Sequence, residues 1–98
     1  MRLSERLRTP IKAALRDTFG AAPVYLFGSR ADDGKRGGDI DLAVATSMAA
    51  AEFRSKKIKF IANMIRNGWE LKIDLVQFSD ETDALLKSEI RATGIPFN

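Results

Sequence analysis

The sequence predicts a small α+β domain in which helices pack on one face of a mixed sheet of three or four strands. Three observations lead to this expectation. Helical spacing and strand spacing of apolar residues alternate along the chain. Glycine, proline and asparagine separate the segments. The 98 residues are 45% hydrophobic, enough for one core, so we expect one domain over residues 1–98.

The N-terminal segment predicts one bent helix or two over residues 3–19. Apolar residues there recur at helical spacing, and Gly20 is suited to end the helix. Thr9 can cap a helix and Pro10 is favoured at a first helical position, so this pair either interrupts or restarts it.

The first predicted strand, residues 24–27, ends at a turn suited to an anion. Gly28 has no side chain, so the backbone can turn sharply and expose its N–H groups. Ser29 and Arg30 follow directly, and a short helix opening there would favour negative charge at its N-terminus. The turn is therefore a candidate phosphate site.

The second predicted strand, residues 39–45, follows a loop at residues 32–38 that is rich in glycine and charge. Asp39 and Asp41 are two residues apart, so both carboxylates leave one face, roughly 7 Å apart along the strand. Like charges this close repel unless a cation, or an arginine or lysine partner, lies between them. Oxygen ligands of this kind suit Mg²⁺ or Mn²⁺.

A long amphipathic helix is predicted to follow, with Thr46 or Ser47 as its cap and Asn67 near its end. We expect its broad apolar stripe to pack; the stripe consists of Phe53, Ile58, Phe60, Ile61, Met64 and Ile65.

Residues 69–78 predict a third strand, in which Asp74 is an acid among apolar residues. Ser79 is expected to cap a final helix that ends at Gly94 and packs through Leu85, Leu86 and Ile90. Residues 95–97 then form a short edge strand or a packed tail.

These residues resemble the DNA polymerase β-type nucleotidyltransferases. The resemblance consists of Gly28 and Ser29, a spacer, Asp39 and Asp41, and the later Asp74. Within that superfamily the short chain looks most like the minimal nucleotidyltransferase (MNT) domains, which are often paired with HEPN-domain toxins. We therefore expect a single minimal nucleotidyltransferase domain over residues 1–98.

The spacer from Arg30 to Gly38 has nine residues, a length usual in the family. Two positions depart from the family pattern. Asp33 stands where a glycine is often found, and Gly38 replaces the usual serine before the first aspartate. Both lie in the loop, so they affect its shape and its affinity for nucleotide more than the metal site.

The resemblance implies a role for each site residue. Asp39 and Asp41 would bridge two metal ions, and Asp74 would complete the metal on the acceptor side and accept the hydroxyl proton. The phosphate contacts would be Gly28, Ser29 and Arg30. The implied reaction moves AMP from ATP, with Mg²⁺ or Mn²⁺, to a protein hydroxyl, and the implied partner is a HEPN toxin for which this chain is the antitoxin.

Other functions fit parts of the sequence. An acid–apolar–acid strand is also typical of an edge strand with a solvated face. A binding module could neutralise its partner by occlusion, and a freestanding transferase could act on a small molecule or on RNA ends. We do not expect nucleic acid as the direct substrate, and either a homo-oligomer or a hetero-oligomer would be compatible with the sequence.

The composition of the chain excludes some kinds of catalytic site and of cellular location. The chain has no histidine, which excludes histidine bases and histidine metal ligands, and no cysteine. No apolar run approaches the ~20 residues of a membrane span. The first residues lack the apolar core of a signal peptide, so we expect a cytoplasmic protein without membrane contact. A net charge of +3 would help to attract a polyanion such as ATP.

A P-loop is excluded by spacing. Gly34 and Lys35 suggest one, but the preceding glycine is one residue too far away and Arg36 stands where serine or threonine is required.

Overall fold

The computed structural model describes residues 5–28 and 40–98. The described residues form three helices and four strands, which confirms the predicted α+β class. The elements are α1 (Glu5–Phe19), β1 (Val24–Phe27), β2 (Ile40–Ala45), α2 (Ala50–Arg66), β3 (Ile73–Phe78), α3 (Ala84–Thr93) and β4 (Ile95–Pro96). The predicted loop at residues 32–38 and three candidate site residues, Ser29, Arg30 and Asp39, lie outside the described residues.

The described chain forms two compact units. The first contains the four strands and helix α3, from residues 22–28, 40–47 and 72–98. The second contains helices α1 and α2, from residues 5–21 and 48–71.

The sheet of the first unit is mixed, with strand order β3-β2-β1-β4. Strand β1 is antiparallel to both β2 and β4, whereas β2 is parallel to β3. Beyond the short edge strand β4, the Asn98 side chain accepts a hydrogen bond from the Val24 N–H (3.0 Å) and donates one to the Ala22 carbonyl (2.9 Å). The expected edge strand is thus present, and Asn98 beyond it holds this end of the chain beside β1.

One face of the sheet is mostly apolar in the described strands. Six of its residues are almost completely buried; they are Val24, Leu26, Ile40, Leu42, Val44 and Leu75. Ile73, Gln77 and Ile95 lie on the same face and are half-buried.

The opposite face is divided between charge and packing. Asp41 and Asp74 lie on it where β2 and β3 begin, and an apolar cluster occupies the rest. That cluster consists of Tyr25, Phe27, Ala43, Val76, Phe78 and, from α3, Leu86 and Ile90. Helix α3 therefore packs on the carboxylate face, whereas the sequence pattern had assigned helices to the other face. The physical reason is that β1 and β3 place large apolar side chains on both faces.

Helix α3 begins later than the sequence predicted. Asp83, and not Ser79, is the N-cap, and its carboxylate accepts hydrogen bonds from the N–H groups of Leu85 and Leu86 (3.1 and 3.2 Å). Ser79 and Thr82 instead close a turn, in which the Ser79 N–H donates to the Thr82 hydroxyl (2.8 Å). Leu85 is exposed, so its predicted packing role was wrong, whereas Leu86 and Ile90 pack on the sheet as predicted.

Strand β3 and helix α2 also begin later than expected. Residues 69–72 lie outside β3, which starts at Ile73. The N-cap of α2 is Ala49, with no side-chain hydrogen bond, so the predicted caps Thr46 and Ser47 were wrong. The predicted end near Asn67 is confirmed, since Asn67 is the C-cap.

The second unit is organised around its two helices. Helix α1 is one continuous helix with Pro10 inside it, which settles the choice between one helix and two. The rings of Phe19 and Phe53 join the helices, with centroids 5.3 Å apart. Of the predicted α2 stripe, Phe53, Phe60 and Met64 are buried, whereas Ile58, Ile61 and Ile65 are exposed. A stripe this broad spans more of the helix circumference than one packed face covers.

The observed cap of α3 can be tested by comparing two substitutions at Asp83. We expect Asp83→Ala to lower the free energy of unfolding by about 1 kcal/mol, because two helical N–H groups lose their acceptor. Asp83→Asn should stay within a few tenths of a kcal/mol of the parent, because asparagine caps equally well. Urea unfolding followed by circular dichroism measures both; a larger loss for Ser79→Ala than for Asp83→Ala would contradict the boundary.

Candidate active site

Two of the three predicted carboxylates lie side by side. Asp41 of β2 and Asp74 of β3 are direct register partners in the parallel pair, so both side chains leave the same face. Neighbouring strands are ~4.8 Å apart. Asp41 is half-buried and Asp74 is exposed. The sequence located both acids on the outward face, and the register adds that they are neighbours.

The pairing follows from how the sequence builds the two strands. Leu42 and Leu75 are register partners on the buried face, and both are almost fully buried. Because a shift of one residue would bury the carboxylates and expose the leucines, the apolar pattern fixes the register. The main-chain bond from Ile40 N–H to the Lys72 carbonyl (2.9 Å) extends the pairing just before Asp41 and Asp74.

Gly28 lies against the Asp41 carboxylate. Phe27, the last residue of β1, is the register partner of Asp41, and Gly28 follows with φ of +76°. A Cβ atom at Gly28 would come within 2.6 Å of the Asp41 Oδ2 atom. This position therefore requires glycine on two grounds, a left-handed backbone and a close approach to a carboxylate.

Thr93 is hydrogen-bonded to the first residue of this turn, Gly28. The sequence did not predict this role for Thr93. Its hydroxyl accepts a hydrogen bond from the Gly28 N–H (3.1 Å) and donates one to the Glu89 carbonyl (2.9 Å). The hydroxyl thereby links the last turn of α3 to the end of β1. A threonine in the last turn of a helix commonly bonds to its own backbone, so nothing in the sequence distinguished this one.

The residues present fit a divalent cation. Carboxylate oxygens are the ligands that Mg²⁺ and Mn²⁺ prefer, and Asp41 and Asp74 supply them from adjacent strands. Like charges directly opposite each other on a sheet destabilise it, and a cation between them reverses that effect. Within residues 5–28 and 40–98, no three acidic side chains group as a metal site. The third predicted ligand, Asp39, lies outside these ranges.

The family of the chain follows from comparison of its sequence with family models. Residues 10–97 match the model of "Polymerase beta, Nucleotidyltransferase". The match covers most of the chain, which therefore belongs to this nucleotidyltransferase family. No curated protein matches the chain by sequence.

Solved structures share the fold. One is a mutant of the toxin–antitoxin pair MntA–HpeT, with 20% identity and a TM-score of 0.68, covering 93% of this chain and 72% of that chain. A toxin–antitoxin structure with AMP-PNP matches with 21% identity, the same TM-score and the same coverage. A further MntA–HpeT mutant has 23% identity and a TM-score of 0.66, covering 97% of this chain and 72% of that one.

No helix in the described part of the chain is both long and apolar enough to cross a bilayer.

The close approach at Gly28 can be tested against a second glycine. Gly68 has a similar φ of +85°, but a Cβ atom there would meet nothing within 4 Å. Each substitution by alanine costs about 1–2 kcal/mol for the left-handed backbone. Gly28→Ala must also displace the Asp41 carboxylate, so we expect a larger loss than for Gly68→Ala in chemical unfolding. Equal losses would contradict the contact with Asp41.

The hydrogen bond to Thr93 can be tested by amide hydrogen exchange at Gly28. Thr93→Val keeps the shape of the side chain but removes the acceptor, so we expect exchange to accelerate about five-fold, for a bond of ~1 kcal/mol. Thr93→Ser keeps the hydroxyl and should exchange nearly as the parent does. NMR spectroscopy resolves this amide, and unchanged exchange in the valine variant would refute the bond.

Proposed function

We propose that this chain transfers AMP from ATP, with Mg²⁺, to a hydroxyl on a partner protein, and that the partner is a HEPN-domain toxin for which the chain is the antitoxin. The observation that carries the proposal is the register pairing of Asp41 with Asp74 beside Gly28, in a chain of the nucleotidyltransferase family. We propose further that residues 1–98 form one minimal domain, since the family match runs without a break from residue 10 to residue 97.

The carboxylates divide the work in this proposal. Asp39, Asp41 and Asp74 hold the divalent ions, and Asp74, the exposed member of the described pair, accepts the proton of the incoming hydroxyl. When bound, the ions would make the α-phosphorus electrophilic and neutralise the pyrophosphate. Ser29 and Arg30 hold the phosphates of the nucleotide. The Gly28 N–H donates to Thr93, so Gly28 serves the phosphates through its lack of a side chain.

The Asp41 carboxylate is oriented by its surroundings. Strand β2, which carries Asp41, is anchored by residues buried on the apolar face of the sheet. On the carboxylate face, the backbone at Gly28 lies against the Asp41 side chain and limits where the carboxylate can be. A carboxylate restricted in this way gives up less rotational freedom when it binds a cation.

The similar structures support the choice of nucleotide and partner. One contains AMP-PNP, an analogue of ATP, and all three are toxin–antitoxin structures. One is of a mutant in which two aspartates, separated by one residue, are glutamates, which parallels the spacing of Asp39 and Asp41. A pair of this kind would act in the cytoplasm, where ATP is abundant.

The transfer can be tested with ATP labelled at the α-phosphorus. The purified chain, Mg²⁺ and the product of any adjacent HEPN gene should give a labelled toxin. Asp41→Asn or Asp74→Asn should lower the rate at least 100-fold, because a metal ligand is lost. Asp80→Asn makes the same chemical change at an exposed acid in the turn before α3, and should keep the parental rate.

The same variants separate catalysis from occlusion. If the Asp41→Asn, Asp74→Asn double variant still binds and neutralises the toxin, the chain is a binding module and the transferase proposal fails. Absence of label from the toxin, with ATP intact, would also contradict it.

A further inference from the structure

Helix α2 carries an exposed row of large apolar side chains, which we call the isoleucine stripe. It consists of Ile58, Ile61 and Ile65, whose side chains are 63%, 38% and 55% exposed. At about 100° per residue, the three lie within an arc of about 60° on the helix surface. The buried residues of α2 lie on a different part of its circumference.

The exposed residue Ala62 extends the stripe on one side, because it falls near the isoleucines on the helix surface. From Ile58 to Ile65 the helix rises about 10 Å. This length and width match the apolar face of one amphipathic helix, which recognises a partner through residues spaced at i, i+3 and i+7.

One edge of the stripe is basic. Lys59 and Arg66 each directly follow an isoleucine of the stripe and lie seven residues apart, so they run along one side of it. Arg54 lies one turn before Ile58, within the arc of the stripe. Helix α2 contains five basic residues and a single acidic residue, Glu52.

This charge distribution discriminates among partners. An antiparallel second copy of the chain would place basic edge against basic edge, and like charges across an interface cost free energy. A helix with acidic edges would place opposite charge along the basic side of a buried apolar seam. Nucleic acid would satisfy the basic edge but would leave the isoleucines without a partner.

We propose that the isoleucine stripe docks an amphipathic helix of another protein whose apolar face is bordered by aspartate or glutamate. This inference does not depend on the transferase activity, because it rests on the surface of α2 alone.

The test uses two synthetic helical peptides of about 20 residues. Both carry leucines at i, i+3 and i+7, one bordered by glutamate and the other by lysine. In fluorescence titrations with the full chain, we expect the glutamate peptide to bind at least ten-fold more tightly than the lysine peptide. Failure of the chain to bind either peptide, or equal affinity for both, would overturn the proposal.

Variants locate the binding surface. Ile58→Ser, Ile61→Ser and Ile65→Ser combined should weaken binding of the glutamate peptide at least ten-fold, with the far-ultraviolet circular dichroism unchanged because the side chains are exposed. Leu85→Ser is the matched control: this leucine is 83% exposed on α3, outside the stripe, and its loss should leave binding unchanged. Lys59→Glu with Arg66→Glu should reverse the preference between the peptides. Unchanged binding in the triple variant would refute the proposal.

Two further measurements test whether a second copy of the chain or a membrane surface binds the isoleucine stripe instead. Light scattering that shows a dimer of the parent and a monomer of the triple variant would assign the stripe to a second copy. Binding to vesicles of phosphatidylcholine and phosphatidylserine that is lost in the triple variant would assign it to a membrane surface. Either result would overturn the proposal; we expect a monomer and no vesicle binding.

Discussion

The register between β2 and β3 is the constraint on which the site depends. Leucine faces leucine on the buried side of this parallel pair, and the outward side therefore brings Asp41 beside Asp74. Burial of the leucines favours folding, and the same folding brings like charges together. The apolar core thus stabilises an arrangement of carboxylates that is suited to a divalent cation.

The surroundings of Asp41 show how the rest of the first unit serves this arrangement. Strand β1 ends beside Asp41, so that Gly28 lies against the carboxylate. The Thr93 side chain accepts a hydrogen bond from the Gly28 N–H and so connects this turn to the last turn of α3. Helix α3 is itself anchored by the apolar cluster on the same sheet face. Packing of α3 and placement of the turn are therefore coupled through the Thr93 hydroxyl and through the contact of Phe27 with the apolar cluster.

The sequence predicted features that depend on local periodicity. Alternation along the strands assigned Asp41 and Asp74 to the outward face, and Gly28 was identified as a turn that needs glycine. Sequence patterns did not predict features that depend on neighbouring structure, such as the start of α3. Both Ser79 and Asp83 can cap a helix, and the turn closed by Ser79 and Thr82 leaves Asp83 as the N-cap. Thr93 and the exposed isoleucines of α2 depend on distant neighbours, so no local pattern could identify them.

We propose above all that Asp41 and Asp74 hold one divalent ion beside the turn at Gly28. A crystal of the chain grown with Mn²⁺ and a non-hydrolysable ATP analogue tests this most directly, because anomalous scattering locates the ion. We expect a manganese ion about 2.2 Å from oxygens of both carboxylates, with the nucleotide phosphates at the turn. An ion bound elsewhere, or a nucleotide bound away from both aspartates, would contradict it.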